Sequence, residues 1–146
     1  MVNKDKRKLK STISGTEYEF SRIREWSDKG EPLEVFLSGI DNAEIRKGKY
    51  IFQRFSDFLP FKNMDPSYSL GEGNTPLTKG GKDLREFTGI NNLIFKNETQ
   101  NPTWSFKDRG SLACIWMARE MEEDITATIS TGNMGNSISA YGARAG

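Results

Sequence analysis

Residues 92–145 read NLIFKNETQNPTWSFKDRGSLACIWMAREMEEDITATISTGNMGNSISAYGARA, and the alternation of patterns along them decides the fold class. Asn92–Lys96 predicts a short strand, bounded by a polar loop from Asn97 to Thr103. A helix is expected from near Ser105 to about Glu123, because Leu112, Ile115, Trp116 and Met121 recur at the three-and-four spacing of one helical face. Ile125–Ile129, β-branched residues alternating with Ala and Thr, predicts a second strand. Ser130–Asn136 is a turn, and Ser137–Ala145 is compatible with a helix. Strand, helix, strand and helix joined this tightly predict a parallel βαβα segment with right-handed crossovers, hence the α/β class.

Outward from that segment the patterns weaken. Residues 63–81 are rich in Gly, Asn, Pro, Ser and Asp and read as a long structured loop opening an α/β domain that runs over 63–146. Residues 11–62 form a smaller N-terminal region. Glu17–Ile23 and Leu33–Leu37 suit strands there, and Phe52, Phe55, Phe58 and Phe61 recur at spacing three in a helical stretch that stops near Pro60. Residues 1–10 carry five basic side chains and one acidic, against 16 basic and 19 acidic in the remainder. They are expected to be a disordered basic tail.

Composition narrows the chemistry. The chain has 146 residues, one cysteine (Cys114) and no histidine. An internal disulfide, the usual zinc and iron ligand sets and every imidazole base are therefore excluded, and no metal site is expected. Lys and Arg outside the tail form no stripe, so no nucleic-acid partner is expected. No apolar run approaches the roughly 18 residues of a membrane helix, so a cytoplasmic protein without a membrane partner is expected.

Both strand-to-helix turns carry reactive side chains, at the end of the sheet where α/β proteins bind ligands. The first, from Asn101 to Gly110, sets Lys107 in the first turn of a helix. The partial positive charge there disfavours the ammonium form, and only the neutral amine attacks a carbonyl, so Lys107 suits a Schiff-base lysine. A solvated lysine beside Asp108 and Arg109 is the plainer alternative. The second turn, Ser130-Thr131-Gly132-Asn133, offers hydroxyls, a carboxamide and backbone N–H groups to an anion or a phenolate oxygen.

Three motifs in order, SLGEGNTPL at 69–77, KNETQNPTWSFKDRG at 96–110 and STGN at 130–133 followed by AYGARAG at 140–146, resemble the threonine synthases among the fold type II, tryptophan-synthase-β-like pyridoxal-phosphate enzymes. The resemblance covers about residues 49–146. It implies that Lys107 carries pyridoxal 5'-phosphate and then moves protons, and that Asn133 donates to the cofactor's phenolate oxygen. Ser130, Thr131 and the backbone near Gly132 would hold the substrate carboxylate, with Asn74 and Thr75 on a loop packing near the substrate. The implied reaction is that of a lyase of threonine biosynthesis, in which O-phospho-L-homoserine and water become L-threonine and phosphate. The expected partner is a small amino-acid substrate.

The family's chains run to several hundred residues, so the sequence reads as an N-terminal fragment, inactive alone. A non-catalytic remnant, or one half of a split enzyme whose second chain supplies the rest, stands beside that reading. Met134 follows Asn133 where many threonine synthases have a hydroxyl residue, which keeps a β-replacement enzyme such as a cysteate synthase open. Trp104 stands where the family often has Gly.

Overall fold

The computed structural model describes residues 6–20 and 24–146, which divide into two compact units, residues 6–20 and 24–47 with 52–62, and residues 48–51 with 63–146. In the first unit β1 (Arg7–Ser11) lies between β2 (Glu17–Glu19) and β3 (Leu33–Leu37), antiparallel to both. The expected disordered tail is thus corrected over residues 7–10, while residues 1–5 lie outside the described residues. The reason is period-two alternation. Arg7, Leu9 and Ser11 turn inward, Leu9 to 4% exposure, while Lys8 pairs with Glu17 and Lys10 stands over the Phe36 ring. The strand expected over 17–23 is seen as β2, and residues 21–23 are likewise outside the described set.

The aromatic stretch forms α1 (Ile51–Arg54) and a single 3-10 turn, Ser56–Phe58, and leaves helical geometry at Leu59 before Pro60. Phe52 is buried, and the Phe55 and Phe58 rings meet at 6.2 Å.

In the second unit β4 (Leu77–Lys79) and β5 (Ile94–Lys96) pair antiparallel, with α2 (Lys82–Thr88) between them in sequence. Then come α3 (Lys107–Glu120) and α4 (Asn133–Ala145). The periodicity of α3 is visible in its buried face, where Leu112, Ile115 and Trp116 join Ile138 and Tyr141 of α4 in the unit's core. The Trp116 indole donates to the Asp65 carbonyl at 3.1 Å, and Arg144 Nε to the Ser67 carbonyl at 2.8 Å. Those bonds hold the loop ahead of β4 on both helices.

Two sequence expectations are corrected. The strand pairs of the described residues are antiparallel, and no parallel βαβα sheet forms among them. Residues 125–129 form no strand, and Ile125 and Ile129 are exposed. A strand needs a neighbour to satisfy its backbone and cover its apolar face, and no described strand pairs with this segment. The mixed α/β composition holds. No described helix is long and apolar enough to cross a membrane.

Candidate active site

The turn into α3 is built from local hydrogen bonds. The Asn97 carboxamide accepts from Thr99 N at 3.2 Å, and Trp104 N donates to the Asn101 carbonyl at 2.8 Å. Trp104 takes φ 62°, a left-handed conformation that costs a bulky side chain roughly 1–2 kcal/mol. That kink delivers Ser105, whose Oγ accepts the Lys107 amide at 3.2 Å, and α3 begins there. Lys107 is half-buried. Its Nζ stands 4.8 Å from the centre of the Phe106 ring and forms no ion pair among the described residues.

Asp108, next along, is 0% exposed. Its carboxylate accepts from Thr103 N at 2.7 Å, from the Thr103 hydroxyl, and from Ser137 Oγ of α4 at 2.6 Å. Ser111 Oγ lies 2.7 Å from Ser137 Oγ. Ser137 sits about one turn, roughly 5.4 Å, from the start of α4. The bond from Ser137 to Asp108 therefore sets the first turns of α3 and α4 side by side, with Lys107 on one and the 130–133 turn leading into the other.

That second turn is open. Ser130, Thr131, Gly132 and Asn133 are exposed, and a Cβ on Gly132 would meet nothing within 4 Å. Ser130 Oγ accepts Gly132 N at 3.1 Å, and the Gly132 carbonyl accepts Asn136 N at 3.1 Å, which shapes the turn while the Asn133 carboxamide stays at the surface. Met134 is half-buried in the first turn of α4.

The 69–75 loop is anchored from beneath. Buried Glu72 accepts from the Tyr141 hydroxyl at 2.6 Å, Ser69 Oγ at 2.9 Å and Leu70 N at 3.1 Å. Burial, reinforced by the Glu72 carboxylate, pushes the Tyr141 phenol well above its ordinary range, so it stays a donor. Gly73 N donates to Asn101 Oδ1 at 3.0 Å, and Arg109 Nη2 to the Gly73 carbonyl at 3.0 Å. Glu98 takes both Arg109 Nε and Nη2 at 2.8 Å and the Thr75 hydroxyl at 2.8 Å. The Arg109 guanidinium, with help from Thr75 and Asn101, draws the Glu98 carboxyl down to about 2.

These contacts sort the sequence-predicted residues. Lys107, Ser130, Thr131, Gly132 and Asn133 lie on neighbouring helix starts. Thr75 is buried with its hydroxyl committed to Glu98, while Asn74 is exposed and donates from Nδ2 to the Lys49 carbonyl at 3.1 Å. Lys107, for which a solvated lysine was the plainer alternative, is half-buried, and Asp108 and Arg109 beside it are tied into networks. The signal was present, since Asp108, Ser111, Leu112 and Ile115 share one helical stripe. The bond from Tyr141 to Glu72 has no local signal in the sequence, because the two residues stand 69 positions apart.

The donor set fits an aldehyde-bearing, anionic cofactor. A lysine amine is the side chain that bonds covalently to an aldehyde carbon, and an exposed Ser, Thr, Gly and Asn turn opening a helix offers neutral donors to anionic oxygens.

A fold of mixed α/β composition with this lysine turn belongs to a recognised class. Residues 68–146 match the family model described as pyridoxal-phosphate dependent enzyme, and the chain belongs to that family, whose cofactor is pyridoxal phosphate. Among curated proteins, the chain is similar to threonine synthases. That of Methanocaldococcus jannaschii is 38% identical over 107 residues, covering 73% of this chain and 26% of the relative. That of Halalkalibacterium halodurans is 41% identical over 96 residues, covering 66% and 27%. That of Methanosarcina acetivorans is 44% identical over 93 residues, covering 64% and 22%. The chain spans about a quarter of the length of these relatives.

Proposed function

We propose that this chain forms the lysine-bearing part of a threonine-synthase-like active site that turns O-phospho-L-homoserine and water into L-threonine and phosphate. The observation that supports the reading is the bond from Ser137 to Asp108, which ties together the helices that begin at Lys107 and at Asn133. Lys107 holds the cofactor covalently through its amine and afterwards accepts and returns the substrate's proton at Nζ. The bound cofactor supplies an electron sink for charge developing on the substrate's carbons. Asn133 donates from its carboxamide to the cofactor's phenolate oxygen. Ser130, Thr131 and the backbone near Gly132 take the substrate carboxylate, and the loop bearing Asn74 borders the same space. Thr75 contributes by fixing that loop to Glu98.

Incubating the chain with pyridoxal phosphate, reducing with borohydride and mapping peptides tests the assignment. The pyridoxyl label is expected on Lys107 and is expected to vanish in Lys107→Ala. Lys107→Arg is expected to stay unlabelled too, because a guanidinium remains protonated. Preferential labelling of Lys96 or Lys62 overturns the assignment.

A further inference from the structure

Asn74 stands exposed between two buried residues, Gly73 and Thr75, and the groups on either side of it are held by residues distant in sequence. Gly73 N donates to Asn101 Oδ1 at 3.0 Å, and the Gly73 carbonyl accepts Arg109 Nη2 at 3.0 Å. The Thr75 hydroxyl donates to Glu98 Oε1 at 2.8 Å, and the Thr75 carbonyl accepts Lys96 Nζ at 2.5 Å. Of these partners only Arg109 belongs to α3, two residues after Lys107. Its fork is filled, since Nε and Nη2 take the two Glu98 oxygens, each at 2.8 Å, while the same Nη2 reaches the Gly73 carbonyl. Asn101 Nδ2 donates to Glu98 Oε2 at 3.0 Å, so the carboxylate that aims the fork is itself fixed. The Asn74 side chain spends Nδ2 on the Lys49 carbonyl at 3.1 Å, and its Oδ1 has no partner among the described residues.

We propose that Arg109 is the positioning residue of the site, setting the exposed Asn74 carboxamide at a fixed place relative to the Lys107 amine, so that an amino-acid substrate meets both in register. This rests on the reading of Lys107 as the lysine that carries the cofactor. The link is short, because Lys107 and Arg109 share the first turn of α3, where two residues rise roughly 3 Å. A planar guanidinium holds a carboxylate and a carbonyl at once in set directions, whereas a lysine ammonium is a point charge on a flexible stem. The clamp is therefore specific to arginine. Reacting groups displaced by about 1 Å lose on the order of a hundredfold in rate, so a residue that fixes the loop bears on the chemistry without touching substrate.

Reducing the pyridoxal-phosphate-treated, isotopically labelled chain with borohydride places an aromatic ring on the modified lysine, and amide resonances report which residues that ring faces. With the adduct on Lys107, shifts are expected at Asn74 and in the 131–133 turn. Arg109→Lys is expected to abolish the Asn74 shift, to keep the 131–133 shifts and to speed exchange of the Gly73 amide about tenfold. Exchange at Leu112 and Ile115, in the buried face of α3, is expected to stay within about twofold. Glu98→Gln, which keeps the side chain's shape and weakens the hold on the fork, is expected to move Asn74 in the same direction by less. Arg85→Lys, on exposed α2, is expected to change neither measurement. An Asn74 shift that survives Arg109→Lys overturns the proposal, as does an adduct on Lys107 that leaves Asn74 unmoved in the parent chain. So does exchange at Leu112 and Ile115 that quickens as much as at Gly73 in both variants, the mark of a general loss of stability. An adduct on Lys96 or Lys62 instead overturns the Lys107 reading, and this inference with it, by a sign that no Arg109 variant affects.

Discussion

Gly73 takes φ 95°, and a Cβ there would stand 2.4 Å from Ile51 Cγ2 and 3.0 Å from Arg109 Nη1. Two costs therefore meet at one residue, the left-handed backbone and a clash against side chains that already hold the loop. Gly73→Ala is expected to destabilise the chain by about 2–4 kcal/mol, measured by urea unfolding. At Gly71, with φ 96° and open space around it, the same change meets the backbone cost alone, about 1–2 kcal/mol. Trp104 is the converse case, a bulky residue at φ 62° that is 80% exposed and so recovers little by packing. Trp104→Gly relieves the backbone and loosens the unfolded chain, so a net gain of about 0.5–1 kcal/mol is expected, read as a rise in Tm. The resemblance marks Trp104 as a departure from Gly. Its physical meaning lies in φ, which neighbouring chain geometry sets.

At the scale of elements, the bond between α3 and α4 is the feature on which the site's geometry rests. Asp108→Ala leaves Ser137, the Thr103 amide and the Thr103 hydroxyl without their buried acceptor, and a loss of about 2–4 kcal/mol is expected in urea unfolding. Ser137→Ala removes one donor and is expected to cost about 1–2 kcal/mol. Exposed Ser139→Ala, on the same helix, is expected to stay within about 0.5 kcal/mol. If Asp108 were merely solvated, its substitution would fall in that last range. Both helices were legible in the sequence because their apolar spacing is a local property, and α3 runs over Lys107–Glu120 within the expected stretch. The strand expected over 125–129 was not realised, because the alternation of Ile125, Ala127 and Ile129 states a preference that pairing must complete.

Across the molecule, each unit depends on charge placement in its own way. In the second unit, Glu98 joins Arg109, Thr75 and Asn101, and its carboxyl lies near 2 against an ordinary 4.5. Its folded-state affinity for protons is lowered, so its contribution is complete above about pH 4.5 and is lost as pH falls toward about 2. After allowance for partial exposure, about 1–2 kcal/mol of stability is expected to disappear across that window. Urea unfolding at stepped pH checks it, and Glu98→Gln is expected to flatten the slope. In the first unit, Lys6 and Arg7, read from sequence as part of a solvated tail, stand with Arg46 and Lys62 around one cleft. The sequence by itself determined helices α3 and α4, the turn that carries Lys107 and the family, since motif order and helical spacing are written in adjacent residues. Only the tertiary structure decided which polar residues are buried, that β4 and β5 run antiparallel, and that four cations share one wall. Those outcomes depend on partners dozens of positions away, brought together by the burial of apolar surface.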